Sequence, residues 1–186
     1  ATGFRLRPRW PGRDPRVATV ARAAGWGVVL HSSAGAILGG AIVAAQGVTG
    51  AVVAYQTAWV FFLAPYGILA QPIHTAVLPE MVVEAREEGL ERFRASVRWS
   101  VERIALTTLP VAVAMVALAG PAMRVVATFV SGTGDGDRYL AAALATLAVG
   151  LVPYSAFLLL ARAYYALGDC RTPGLASIVV AITGLL

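Results

Sequence analysis

Trp59 to Glu80 reads WVFFLAPYGILAQPIHTAVLPE, an apolar run without charge before Glu80 and interrupted by Pro65, Gly67, Pro72 and Pro79. A soluble core helix loses roughly 3 kcal/mol at each interior proline. A membrane helix can re-satisfy the freed carbonyls through neighbouring helices and ordered water. The stretch therefore reads as a broken transmembrane helix, with Pro65, Gly67, Pro72 and Pro79 as its break or hinge positions. Broken helices recur in transporters, where irregular backbone lines a path through the bundle. Transport is the first expectation.

Working outward, no charged side chain occurs from Ala23 to Pro79, a run of 57 residues. As helix that run would extend about 85 Å against a hydrocarbon core of about 30 Å, so it must cross twice. Gln46-Gly-Val-Thr-Gly50 is the natural break. It separates a first span near 20–46 from a second at 51–79. The first span is rich in small residues, with Gly35 and Gly39 as a GxxxG pair and Ser32, Ala36, Gly40 and Ala44 repeating every four. Such a face suits close helix packing. His31 and Ser32 lie near the middle of this span, and Gln71 and His74 lie in the second half of the broken helix. Polar groups at membrane depth face protein or a water-filled cavity, so each is either a packing contact or a substrate-path candidate. Two histidines without a supporting carboxylate make no metal site.

Composition agrees with the membrane reading. The chain is 58% hydrophobic and 13% charged, with a mean hydropathy of +0.72, whereas globular domains are about 25% charged. All fifteen basic residues are arginine. They are not interleaved with aromatics on an amphipathic surface, which argues against a nucleic-acid partner. The single cysteine, Cys170, excludes an internal disulfide framework and a cysteine metal cluster.

The arginines follow topology instead. Residues 1–22 hold six, with Pro8, Pro11 and Pro15 preventing a long helix, so 1–19 reads as a basic cytoplasmic linker. Residues 80–103 hold five more among six glutamates. There Leu90, Phe93, Val97 and Ile104 make one apolar stripe, predicting an amphipathic helix at the membrane surface over about 80–100. Glu88–Arg92 and Arg98–Glu102 are spaced as i,i+4 pairs. A third span follows at 101–120 with Pro110 early in it, then a connection over Pro121 to Arg138 containing MRVVATFV and the turn SGTGDGD. Its two aspartates fall short of a calcium loop.

The fourth span is predicted at 139–167. Arg162 lies about 8 Å from its end, close enough to snorkel to the interface beside Tyr164 and Tyr165 or to contact an anionic substrate. Gly168 suits the end of that helix. Thr172 can cap the next, with Pro173 at its first position, and a fifth span starts over 173–186. The last fifteen residues stop inside an uncharged run, so a fragment is expected. The arm, the 80–103 loop and the 168–173 turn carry twelve arginines against Arg124 and Arg138 on the other side. That bias places the arm in the cytoplasm.

LAPYGILAQPIHTAVLPE, the charged loop after it and ARAYYALGDCRTP (161–173) together resemble the MurJ (MviN) family of lipid II flippases. The family carries an "LPxG…LP" helix and a later "FYAxxDTRTP" helix end, in this order. The resemblance covers nearly the whole chain. It implies part of the second lobe of a two-lobed all-α transporter, with residues 20–186 a fragment of the bundle. The cargo would be the undecaprenyl-linked cell-wall precursor, moved across the inner (cytoplasmic) membrane by alternating access. Membrane lipids and the remaining helices of the full-length transporter would be its partners. No catalytic residue, metal or cofactor is implied. The family's arginine before the first proline has no counterpart here, since Ala58 to Ala64 is uncharged. A drug or polysaccharide-lipid exporter of the same superfamily, or a membrane scaffold without transport, are the alternative classes.

Overall fold

The computed structural model describes residues 15–47, 50–130 and 136–185. Most of the basic arm, two residues of the first break and most of the SGTGDGD turn lie outside the described residues, as does the Glu88 side chain. Among the described residues all regular structure is helical: α1 (Pro15–Ala45), α2 (Ala51–Pro65), a π-helical turn (Tyr66–Ala70), α3 (Gln71–Val83), a second π turn (Glu84–Glu88), α4 (Leu90–Val130), α5 (Gly136–Val149), α6 (Leu151–Ala166) and α7 (Arg171–Leu185). Val17–Ala44, Ala51–Glu87 and Leu90–Phe129 are each long and apolar enough to cross a membrane. Asp137–Val149 with Leu151–Ala166, bent by 45°, makes a fourth if the pair is one span.

The second, third and fourth of these pack as a three-helix unit whose core is three stacked clusters. Ala54 and Ala58 of α2 meet Ala119, Met123 and Ala127 of α4 and Leu140 and Leu144 of α5. Phe62, Ala112 and Leu151 form the middle. Ala70, Val77 and Met81 meet Phe93 and Ile104 of α4 and Leu159 and Ala163 of α6 at the other end. Lipid tails are as apolar as leucine, so burial alone drives little association here. The alanines instead let backbones approach and gain dispersion contacts. Outward positions such as Val60, Ile68, Leu106, Val113 and Val179 stay exposed, as lipid-facing side chains do.

Helices α1 and α7 pair in parallel beside this unit. Trp26 sits against Gly174 and Ile37 against Gly184; a Cβ on Gly174 would lie 2.6 Å from the Trp26 ring. The glycines that admit a neighbour are thus on α7. Gly35 and Gly39, predicted to make the close contact, have nothing near their absent Cβ atoms among the described residues. Large side chains on α1 fill notches on α7, and the GxxxG face is left outside that contact.

Several boundaries differ from the sequence expectation. Helix α1 starts at Pro15, whose missing N–H costs nothing at a first helical position, so residues expected in the arm are helical. The prolines at 65, 72 and 79 do not unwind the backbone; the interruption is the widened turn at Tyr66–Ala70. The stripe assigned to a separate surface helix is the first part of α4, and Phe93 and Ile104 are buried against α3 and α6 rather than in lipid. Helix α4 then runs past Pro110 and Pro121 to Val130, because Met123 and Ala127 of MRVVATFV belong to the core. Thr107 and Thr108 donate to the carbonyls of Arg103 and Ile104 just before Pro110, serving backbone acceptors where water is scarce.

The stretch expected as the fourth span is two helices. Gly150 has no side chain to brace the turn, and a Cβ there would lie 3.1 Å from the Leu147 carbonyl. Pro153 cannot donate to Val149. Of the predicted i,i+4 pairs, Arg98 bonds Glu102 at 2.9 Å, and Arg94 bonds Glu91 at 3.2 Å as an unpredicted i,i+3 pair.

Helix α6 ends in a Schellman motif. Gly168 adopts φ +79°, its N–H donates to Tyr165 O, and the Asp169 N–H donates to Tyr164 O. Asp169, not Thr172, caps α7: its Oδ1 accepts from the Arg171 and Thr172 N–H groups. The Thr172 hydroxyl is a further donor to Asp169, which moves the helix start to Arg171 and leaves Pro173 in its third position.

Candidate functional site

The polar residues of the π turn and α3 converge on α6. At the π turn the Gln71 N–H donates to the Tyr66 carbonyl, five residues back. The Tyr66 hydroxyl also donates to Gln71 Oε1 at 2.9 Å. The same oxygen accepts from Arg162 Nη2 at 3.2 Å, across 91 positions of sequence. Gln71 Oε1 therefore has both lone pairs occupied. His74 lies one turn on, with Nδ1 3.4 Å from the Tyr66 hydroxyl and its ring 5.8 Å from the tyrosine ring. It is 0% exposed, and its buried Nε2 meets no hydrogen-bond partner of good geometry among the described residues.

An aromatic wall backs the cluster. Tyr154 of α6 stands edge-on to Tyr66 at 5.2 Å and to Phe62 at 5.3 Å, and Trp59 stacks on Phe62 at 5.2 Å. This fixes the Tyr66 ring independently of its hydroxyl. Next to the wall, a cavity of about 430 Å³ opens between α1, α6 and α7, lined by Leu30, His31, Ser33, Tyr154 and Ser177 among others.

Of the predicted site residues, Gln71, His74 and Arg162 are thus brought together, with Arg162 bonded to Gln71. His31 and Ser32 are not part of that cluster. Both are exposed on α1, where His31 Nδ1 donates to the Gly27 carbonyl at 2.9 Å and shares a shallow concavity with Ser32. Pro65 and Pro72 flank the π turn, Pro79 sits within α3 and Pro110 within α4; Gly67 lies inside the turn. Tyr66 and Tyr154 were missed. On an α-helix, residues five apart point about 140° from each other, so the spacing of Tyr66 and Gln71 gives no sign of their contact. The prolines were the available signal. No cluster of three or more histidine, cysteine or acidic residues that could hold a metal occurs among the described residues.

Long apolar helices and outward apolar side chains define a multi-pass membrane protein. The family of lipid II flippase MurJ matches residues 1–186, and the chain belongs to that family. Its function is accordingly the flipping of lipid II, a transport activity and not an enzymatic one, in the inner membrane. No solved structure matches the chain.

Proposed function

We propose that the chain forms the entry arm and opening helices of the second lobe of a lipid II flippase, with Arg162, Gln71 and His74 beside the head-group path. In this reading the arm is cytoplasmic, four spans are complete and α7 starts a fifth. The remaining helices of the full-length protein close the path, and the undecaprenyl-pyrophosphate precursor crosses as the lobes alternate. Pro65, Gly67, Pro72, Pro79 and Pro110 shape the helices that move. His31 and Ser32, beside the cavity at α1, are a second polar stretch of the same path.

The observation that carries the reading is Arg162. Its hydrogen bond is to an uncharged amide, and no carboxylate pairs with it among the described residues. A cation held within the bundle by a neutral partner keeps its charge available for a phosphate oxygen. It stands across from Gln71 of α3 and supplies a charge from another span than Ala58 to Ala64, where the family's arginine is missing. The test is lipid II flipping by the full-length protein in proteoliposomes. A charge-assisted contact is worth about 1.5–3 kcal/mol, or about 10–150-fold in affinity. Arg162→Ala should raise the half-saturating lipid II concentration by about that factor, and Arg162→Lys by less. A wild-type concentration dependence for Arg162→Ala would overturn the assignment.

A further inference from the structure

We infer that Tyr66 is a positioning residue for transport: the π turn sets its hydroxyl on Gln71, and Gln71, so fixed, holds the Arg162 guanidinium inside the bundle. The inference rests on the reading of Arg162 as the anion contact. Two bonds join the same pair of residues. The backbone bond from the Gln71 N–H to the Tyr66 carbonyl defines the wide turn, and the side-chain bond from Tyr66 to Gln71 Oε1 spans the same five residues. On an α-helix those side chains would diverge by about 140°. The extra residue of a π turn brings them onto one face, a geometry that recurs at functional sites.

The consequence reaches Arg162 through one atom. Gln71 Oε1 accepts from Tyr66 at 2.9 Å and from Arg162 at 3.2 Å. With the phenol bonded, the amide oxygen is aimed at α6. Without it, the amide is free to rotate away, and the guanidinium loses its inward acceptor. Arg162 then has the other course open to a long cationic side chain near a helix end, which is to extend to the interface. The tyrosine ring itself is held by Tyr154 and His74, so the hydroxyl can be removed without emptying the site.

The experiment uses the full-length flippase in proteoliposomes and two readouts. One is the rate at which phenylglyoxal modifies Arg162, followed by peptide mass spectrometry with the exposed Arg124 as internal reference. The other is flipping against lipid II concentration. Tyr66→Phe and Gln71→Leu should each speed Arg162 modification several-fold relative to Arg124, and raise the half-saturating concentration more than they lower the maximal rate. Gln71→Glu, which keeps an acceptor and adds a charge, should return modification to the wild-type rate or below. Wild-type modification of Arg162 in both Tyr66→Phe and Gln71→Leu overturns the inference, even where Arg162→Ala impairs flipping. Faster modification with Arg162→Ala flipping normally would instead support the positioning and remove the anion contact on which it was to act. A misfolded variant is recognised because Arg124 and Arg162 then lose their difference in rate.

Discussion

At the scale of single residues, Asp169 joins two helices with one side chain and one N–H. Its backbone closes the Schellman motif of α6 while its carboxylate caps α7. The Thr172 hydroxyl, then the Thr172 N–H, hold its carboxyl below the usual carboxylate range. A depressed folded value means that the carboxylate's stabilisation is complete above the ordinary value of 3.8 and is lost as pH falls through the folded value. Asp169→Ala should therefore lower the melting temperature more than Asp169→Asn, which keeps an oxygen acceptor for the two N–H groups. The gap between wild type and Asp169→Asn should be constant above about pH 5 and shrink below pH 4. A gap that widens in acid would contradict the cap. The turn was legible from Gly168 and its neighbours. The choice of cap was not, because Asp169 and Thr172 are both good N-caps, and only the carboxylate could serve two N–H groups and a hydroxyl together.

At the scale of elements, the second span shows how far proline spacing can be read. Three prolines in a run of this length announce irregularity, and the sequence supports unwound backbone as readily as a widened turn. The structure keeps the helix. Pro72 has no N–H for the carbonyl of Ile68, and in a regular α turn its ring would press on that carbonyl; one extra residue in the preceding turn gives it room. Gln71, His74 and Arg162 could thus be singled out as polar residues in apolar spans, while the turn that places Gln71 against Tyr66 could not. The same limit applies to α4. Its stripe of Phe93, Val97 and Ile104 was plain, but the stripe does not say whether lipid or another helix covers it. Replacing Pro72 by Ala restores the missing donor and should let the turn relax to α geometry, rotating α3 by about 100° per residue of register. Membrane insertion of the full-length variant should stay near wild type while lipid II flipping falls several-fold. Equal loss of insertion and flipping would make the proline a folding device only.

At the scale of the whole molecule, the chain divides into a three-helix unit and the α1–α7 pair. Composition alone pointed to a membrane, because 58% hydrophobic residues with only 13% charged ones lie well outside the globular range of about 25% charged. The pairing of α1 with α7 was hidden: the glycines that permit it are ordinary-looking residues on the later helix, and the GxxxG on α1 pointed to the wrong face. Orientation follows from charge. The described ends of the helices put Arg86, Arg92, Arg94, Arg98, Arg103 and Arg171 on the side where α1 begins, with Arg124 and Arg138 on the other. The bias predicts that the α1 start faces the cytoplasm. To measure it, single cysteines are placed at Glu87 and Arg138, both exposed, in a full-length protein whose Cys170 is replaced by Ala. In intact cells a membrane-impermeant maleimide should label the cysteine at 138 and leave that at 87 untouched until the membrane is opened. Labelling of 87 alone would invert the topology, and labelling of both would mean that α4, the helix between the two positions, fails to carry the chain across.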